Sequence, residues 1–232
     1  MYKDMIEKID IKNESVAAVI KSLTIGDLDV NSINDGIFIM FHRNSDNYPL
    51  MVKPHKWASY QSSGEIAEGV VVVEGGKILV VAPTEASLYW SSAAVSGGGV
   101  ITSDRLTALA DWAGKTNTAA QVTKPEASSV SYAPGFCNAY SRVNANGEGL
   151  VAGKWWLPSL GEMTMIYANM EKINYALSLI NGATQLAKES YWTSTEFSSA
   201  SAWFLYLSNG NAYGSAKAAV QYRVRAVSAF IM

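Results

Sequence analysis

The stretch "WFLYLSNGNAYGSAKAAVQYRVRAV", residues 203–227, begins as a strand and then passes into a run of small residues and tyrosines. Trp203, Leu205 and Leu207 occupy alternate positions, so their side chains point to one face of the strand and are predicted to be buried. The intervening side chains point to the other face, which is predicted to be free. The Asn-Gly pair at 209–210 favours a type I′ turn and a returning strand. This stretch therefore predicts a β-hairpin with one buried face.

The return of this hairpin fits no simple period, because residues 212–222 are mostly Ala, Gly and Ser, with Tyr213 and Tyr222 among them. The "RVRAV" segment that follows predicts one final strand, with Val224 and Ala226 pointing inward and Arg223 and Arg225 on the opposite face.

The segment "GKWWLPSLGEM", residues 153–163, contains the start signal of a helix. Pro158 ends an extended segment, Ser159 is placed to cap a helix, and Glu162 stands three residues later, which completes a Ser-x-x-Glu capping box. A helix is predicted from Leu160, followed by a second helix through "KINYALSLI" that ends at Asn-Gly 181–182. Glu162 is accordingly interpreted as a cap rather than a catalytic acid.

Two further patterns predict strands. "GIFIMF", residues 36–41, indicates a buried strand, and "GVVVVEGGKILVV", residues 69–81, indicates a hairpin with a Gly-Gly turn at 75–76. "SDRLTALADWAG", residues 103–114, predicts one amphipathic helix that begins at Ser103 and stops at Gly114. A main domain of mixed α+β class, preceded by a small N-terminal segment, follows from this order of elements.

Phosphate-binding motifs are absent. "SGGGV", residues 96–100, lacks the Gly-x-Gly-x-x-Gly pattern and is interpreted as a flexible loop. A P-loop ending at Lys154 would require Gly at 148 and Ser or Thr at 155, where Glu148 and Trp155 stand.

The composition of the chain limits the classes of partner that it is expected to bind. The 232 residues carry a net charge of −2 with 16% charged residues and no basic run, which argues against binding to nucleic acid or to an anionic membrane. No stretch reaches the roughly 18 apolar residues of a membrane span, and the N-terminus lacks the pattern of a secretory signal. Cys137 is the sole cysteine, so neither an intrachain disulfide nor a cysteine metal cluster is expected.

The order "WWLPSLGEM", two helices, "YWTSTEF", the "AW…LSNGN" hairpin and "RVRAV" resembles the variable proteins of diversity-generating retroelements, particularly those of gut Bacteroidales and their phages. The resemblance is good over about residues 150–230 and extends back to about residue 36. It implies a C-type-lectin-like domain over 36–232, with short strands, a few helices and a variable region at about 191–227. It also implies an attachment or assembly segment over 1–35.

In that family an error-prone copy of a template replaces the 3′ end of the gene, and asparagine codons are the main targets. Randomising the first two bases of such a codon can give most residue types, Phe, Ser, Ala, Tyr and Gly among them, but never Trp, Met, Gln, Glu or Lys. Trp203, Lys217 and Gln221 are therefore expected to lie outside the variation. The ligand-binding residues implied by the resemblance are Phe197, Ser198, Ser199, Ala200, Ser201, Phe204, Tyr206, Ala212, Tyr213, Gly214, Ser215, Ala216, Ala218, Ala219 and Tyr222.

The resulting hypothesis is a ligand- or receptor-binding protein, an adhesin or a phage tail receptor-binder, on a virion or a bacterial surface or secreted. Its partner is an unidentified protein or glycan, and residues 1–35 serve homo-oligomer or virion assembly. No cofactor and no metal are expected, since the C-terminal region lacks the carboxylate-amide loop of calcium-dependent lectins. Five aromatic residues, Phe197, Phe204, Tyr206, Tyr213 and Tyr222, are predicted to be exposed on one face.

Two alternatives remain. One is a structural tail or surface subunit with no receptor role. The other is a catalytic domain like the formylglycine-generating enzymes, which share the fold by resemblance and use cysteines. Cys137, in "GFCNAYSRV", is interpreted as a buried structural thiol, and His42 and His55 as ordinary surface or loop histidines because no nucleophile motif stands beside them.

Overall fold

The computed structural model describes residues 34–229, which combine seven α-helices with mostly antiparallel sheets, so the predicted α+β class is confirmed. Residues 35–229 lie within one compact unit. The N-terminal segment predicted over residues 1–35 lies almost wholly outside the described residues.

Two main sheets organise the strands. The first has the order β2-β1-β3-β4-β13-β8, and the second has the order β11-β10-β9-β12-β5, while β6 and β7 pair separately. The bounds are β1 Gly36–His42, β2 Pro49–Val52, β3 Gly69–Glu74, β4 Lys77–Val81, β5 Ala86–Leu88, β6 Arg142–Val143, β7 Gly149–Leu150, β8 Trp155–Trp156, β9 Ser190–Glu196, β10 Ser201–Tyr206, β11 Asn211–Ala216, β12 Tyr222–Val224 and β13 Val227–Ser228.

The helices are short and lie between the strands of the two sheets in the chain. Their bounds are α1 Trp57–Ser62, α2 Arg105–Leu109, α3 Gly114–Gln121, α4 Pro125–Ser128, α5 Ala133–Ala139, α6 Leu160–Ala168 and α7 Met170–Ser178, with a 3₁₀ turn at Pro54–Lys56 before α1. Buried side chains from α6 and α7 join those of β1, β3 and β10 in one apolar core.

The first hairpin is formed as predicted. β3 and β4 pair antiparallel, and Gly75 and Gly76 both have positive φ, which matches the backbone of a type I′ turn. The predicted buried strand at 36–41 is β1, whose centre is buried between β2 and β3.

The capping box opens α6 at Leu160, as predicted. The Ser159 hydroxyl accepts from the N–H of Glu162, and the Glu162 carboxylate accepts from the N–H of Ser159 and the indole N–H of Trp156. Glu162 is therefore a buried cap, which agrees with its interpretation from the sequence. The helix that follows, α7, ends at Ser178, three residues before the predicted stop at 181–182, where Gly182 adopts positive φ.

The single helix predicted over residues 103–114 is wrong. Asp104, not Ser103, caps α2, which ends at Leu109, and Gly114 begins α3 instead of ending the preceding helix. Leu106, which would lie on the apolar face of the predicted amphipathic helix, is 76% exposed. The break has a physical reason, because the carboxylate of Asp111 turns inward to accept from Thr195, Asn117 and the backbone N–H of Ala113.

The "RVRAV" segment forms two strands rather than the one predicted. Tyr222–Val224 belongs to the second sheet and Val227–Ser228 to the first, so the chain crosses between sheets at Arg225. The Arg225 guanidinium is fully buried, where it donates to Ala82 O, to Thr184 O and to the carboxylate of Glu85. Arg225, which strand alternation predicted to lie on the face opposite that of Val224, is thus a buried structural residue.

The hairpin of β10 and β11 is present, but its turn is not type I′. Leu207–Gly210 form a four-residue loop in which the N–H groups of Asn209 and Gly210 both donate to Tyr206 O. Gly210 has positive φ in this loop. Asn47 is the one non-glycine residue with positive φ in the described part of the chain. Leu207, the first residue of this wider loop, is buried in the core as the alternation predicted.

The predicted burial of Trp203, Leu205 and Leu207 is confirmed. Trp155, Trp156, Leu157, Trp192, Trp203 and Leu205 are all buried, and the register that places Trp203 inside and Phe204 outside is the observed one. A shift by one residue would have exchanged the two faces of the strand.

Glu162 makes stability depend on pH. Burial raises the pKa of this carboxyl group from its ordinary value of 4.5 to about 7, although the hydrogen bonds from Ser159 and Trp156 act in the opposite direction. The folded protein therefore holds this proton more tightly than the unfolded chain does. We expect the free energy of unfolding to decrease by about 3 kcal/mol as the pH rises from about 4.5 to about 7, since one pKa unit corresponds to ~1.4 kcal/mol.

Urea unfolding of the wild type and Glu162→Gln across this pH range measures the effect. Glutamine keeps the shape and the acceptor oxygen but does not titrate, and all other ionisable groups cancel in the comparison. A stability difference between the two proteins that stays constant with pH would contradict the raised pKa.

Candidate ligand-binding surface

Aromatic side chains from three strands meet on the outer face of the second sheet. Phe204 lies opposite Tyr213 in the β10–β11 ladder, with ring centroids 5.9 Å apart, and it also contacts Tyr222 of β12 at 4.6 Å. Tyr206 extends this row along β10, because it lies two residues beyond Phe204 on the same side. We call these four side chains, Phe204, Tyr206, Tyr213 and Tyr222, the aromatic face.

A buried tryptophan on the same side of the sheet packs between the rings of the aromatic face. Trp192 of β9 packs against Tyr222 at 4.6 Å and against Phe204 at 6.4 Å, and its indole N–H donates to Leu88 O. Phe204 and Tyr222 are consequently half-buried, while Tyr206 and Tyr213 are 38% and 53% exposed. The two outer tyrosines offer the accessible area, and the two inner rings hold the surface rigid.

Small residues surround one end of this face. Ser215 lies beside it, with its hydroxyl 3.4 Å from that of Tyr222. Beyond it, the loop before β10 and the end of β11 come together, since Ser201 pairs with Ala216. We call this set the small-residue rim; it consists of Ser198, Ser199, Ala200, Ser201, Ala216, Ala218 and Ala219, and all are exposed or half-buried.

Three of the candidate residues do not belong to the aromatic face. Phe197 packs edge-on against Trp203 at 5.0 Å on the core side, so the prediction that it shares one face with Phe204 is wrong. Ala212 lies opposite Leu205 and is buried in the core. Gly214 is exposed, but a Cβ on it would overlap the Phe197 ring, which explains the glycine.

Lys217 is the charged residue within the small-residue run, and it is fully buried. Its ammonium group forms an ion pair with the Glu196 carboxylate and donates to Val95 O and Ser199 O. It also lies over the Trp90 ring, 4.4 Å from the centroid. Desolvation lowers the pKa of Lys217, while the hydrogen bond and the charge of Glu196 raise it. The ion pair holds the end of β11 against the body of the domain.

The loop predicted as flexible, residues 96–100, is organised around the same carboxylate. The N–H groups of Gly97 and Gly99 both donate to Glu196. A Cβ at Gly97 would overlap the side chains of Trp90, Gln121 and Glu196, so the close approach requires glycine. The loop therefore encloses a carboxylate of the protein itself, which is a different role from binding phosphate.

The sequence offered little warning of Glu196. The single signal was a lysine isolated among small residues, because a lysine that is buried requires an acidic partner. The sequence could not name the partner of Lys217, because it contains several carboxylates and does not show which of them contacts this lysine in the fold.

The other candidate residues lie away from this surface. His42 lies in β1, and its Nδ1 is 2.6 Å from the buried carboxylate of Glu68. The prediction that it is a surface or loop histidine is therefore wrong. His55 is exposed in the 3₁₀ turn before α1. Cys137 is buried and free, and burial raises the pKa of its thiol well above the ordinary value, which disfavours the nucleophilic thiolate.

Residues 34–229 contain no cluster of three or more His, Cys, Asp or Glu side chains placed to hold a metal ion. In the same part of the chain, none of the helices has the length and apolar character that crossing a membrane requires.

Comparison with solved structures shows a distant likeness. No protein-family model matches the sequence, and no curated protein does. Among solved structures, a fimbrial protein from Bacteroides ovatus is similar with a TM-score of 0.46 and 14% sequence identity, covering 65% of this chain. The chain spans about a third (35%) of the length of that structure.

Breaking the ion pair should unfold the site. We expect Lys217→Met to lower the free energy of unfolding by about 3–5 kcal/mol, because it leaves the Glu196 charge buried and unpaired. The double variant Lys217→Met, Glu196→Gln should be more stable than the sum of the two single effects implies. Urea unfolding at neutral pH measures all three.

The matched control is the exposed pair of Lys188 and Glu171, whose N–O distance is 3.7 Å. Lys188→Met should change stability by no more than about 0.5 kcal/mol, as surface pairs usually do. If Lys217→Met behaved like this control, the buried ion pair would not be what holds β11.

Proposed function

We propose that this protein binds a ligand or receptor through the aromatic face and the small-residue rim, and that the surface is diversified by a retroelement within a C-type-lectin-like domain. The ligand is a protein or a glycan carried by another cell or particle, and the protein acts at a virion or bacterial surface. Residues 1–35 are proposed to attach or assemble it.

The observation that carries this proposal is the separation of residue types between buried and exposed positions of the second sheet and its loops. Trp192, Glu196, Trp203 and Lys217, which substitution in asparagine codons cannot produce, are all buried. The more accessible positions beside them carry Phe, Tyr, Ser, Gly, Ala and Val, which it can produce. Gln221 is exposed and remains the exception.

The composition of the surface suits binding to varied targets. Tyr and Phe supply rigid contact area with little loss of side-chain entropy, while Ser, Gly and Ala adapt to different shapes, as in antibody paratopes. Exposed aromatic residues usually occur singly, so a group of them held by neighbouring strands marks an interaction site. The buried framework beneath keeps its shape when the surface residues change.

A genetic test addresses the diversification alone. Sequencing the DNA beside the gene should reveal a near-repeat of the coding sequence for about residues 191–227, differing mainly at adenines, next to a reverse transcriptase gene. If neither is present, the diversification is refuted. The binding surface is tested separately by the next experiment.

A protein test separates surface from core. The double variant Tyr206→Ala, Tyr213→Ala should lower the free energy of unfolding by less than about 1 kcal/mol, because both side chains are largely exposed. Trp203→Ala should lower it by roughly 3–5 kcal/mol, since it empties a core site and removes the hydrogen bond to Thr102 O. Thermal or urea unfolding of the purified variants gives both values.

Binding is measured with a ligand selected from a displayed library of glycans and peptides against the wild-type protein. Its affinity should fall by at least about tenfold for the tyrosine variant, as expected when a hot spot is truncated. Tyr175→Ala is a control, because that tyrosine is 55% exposed on α7, which packs against β1 of the first sheet. Equal loss of stability in the tyrosine and tryptophan variants would show that the supposed surface is core.

A further inference from the structure

Strand β11 forms one edge of the second sheet. It pairs with β10 along its whole length, and among residues 34–229 no strand pairs with its other side. An unpaired strand edge presents N–H and C=O groups that can pair with another chain.

Two hydrogen bonds establish which residues of β11 point outward. Lys217 N donates to Ala200 O, which continues the β10–β11 ladder by one step, and Leu207 N donates to Glu189 O on the opposite side of β10. Because hydrogen-bonded and non-hydrogen-bonded pairs alternate in an antiparallel ladder, Tyr213 and Ser215 bond inward to β10. The backbone groups of Ala212, Gly214 and Ala216 therefore point away from the sheet.

The accessible part of this edge is short. Ala212 is 5% exposed, which closes the end near the turn, whereas Gly214 and Ala216 are exposed. The carbonyl of Ala216 accepts a long bond of 3.4 Å from Ala219 N. Three groups remain: the N–H and C=O of Gly214 and the N–H of Ala216.

The other sheet edges are protected in ways that β11 is not. β2 begins with Pro49 and β5 has three residues, while β8 has two, both buried. β11 has six residues with neither proline nor charge, and Lys217, which could have guarded its end, is turned into the core. Proteins normally blunt such edges with proline, charge or short length.

We infer that β11 binds an extended segment of a partner polypeptide by strand addition, with the main chain of the segment bonded to Gly214 and Ala216. This inference rests on the proposed function and specifies the ligand chemistry of that site. Every second side chain of the added strand would lie beside Tyr213, next to the aromatic face. The main-chain bonds supply affinity that does not depend on the variable side chains, and Tyr213 and its neighbours supply specificity.

A second copy of this chain fits the edge less well. An interface between identical copies must be complementary to itself. Tyr213 and Ser215 are proposed to vary between versions of the protein, so each version would have to restore that complementarity. A foreign strand requires only that one partner match one version.

The decisive variant removes one outward N–H. Ala216→Pro deletes the donor at 216 without removing an inward bond, and Ala216→Ser retains the donor as a matched control. The probe is a peptide selected with the full chain from a displayed library of random linear peptides of about ten residues. We expect Ala216→Pro to raise the Kd of this peptide at least about tenfold and Ala216→Ser to leave it within about twofold, with both variants folded as judged by melting curves.

Peptide variants test the same bonds from the other side. N-methylation should abolish binding at alternate peptide residues and be tolerated between them, because only every second N–H of an added strand faces β11. In the free protein, the amide protons of Gly214 and Ala216 should exchange faster than those of Tyr213 and Ser215.

Four results would overturn the inference: a library that yields no binding peptide, a selected peptide insensitive to Ala216→Pro, slow exchange at Gly214 and Ala216 in the free protein, or a dimer that Ala216→Pro dissociates. The proposed function is tested separately by Tyr206→Ala, Tyr213→Ala. A ligand that loses affinity for this variant but not for Ala216→Pro would leave the aromatic face as a binding surface and remove strand addition alone.

Discussion

The ion pair between Glu196 and Lys217 is the interaction on which the proposed binding surface depends. Glu196 ends β9 and Lys217 directly follows β11, so one contact joins the two ends of the hairpin region. The same carboxylate holds Gly97 and Gly99, and the ammonium group holds Val95 and Ser199 through their carbonyls. Because each charge is desolvated, losing either one leaves the other without compensation. The surrounding small residues contribute little packing of their own.

This arrangement explains how a surface can change while its fold does not. Stability in this region comes from side chains that are buried, above all Trp192, Trp203 and the ion pair. The exposed positions, such as Tyr206 and Tyr213, contribute less of the folding free energy, since part of each side chain remains in water. Strand geometry supplies this division, because successive residues face opposite sides of a sheet.

A second buried charge cluster joins the two sheets. Arg225 lies where the chain crosses from β12 to β13, and it bonds to Glu85, which also accepts from the Tyr191 hydroxyl. Burial, with the charge of Glu85, raises the pKa of Tyr191, so the phenol stays protonated and donates. Arg223, half-exposed, extends the cluster to Glu189. The aromatic face thus lies on a sheet that buried charged side chains join to the other sheet.

The sequence by itself determined the local structure: the strand alternation around Trp203, the Gly-Gly hairpin and the capping box at Ser159, since each depends on neighbours within a few residues. It also identified Lys217 as different from the residues around it. The tertiary structure alone decided the partner of Lys217, the break at Asp111 and the side on which Phe197 lies. Those outcomes depend on contacts between residues far apart in the chain, where desolvated polar groups must find partners and local patterns carry no information about which ones they find.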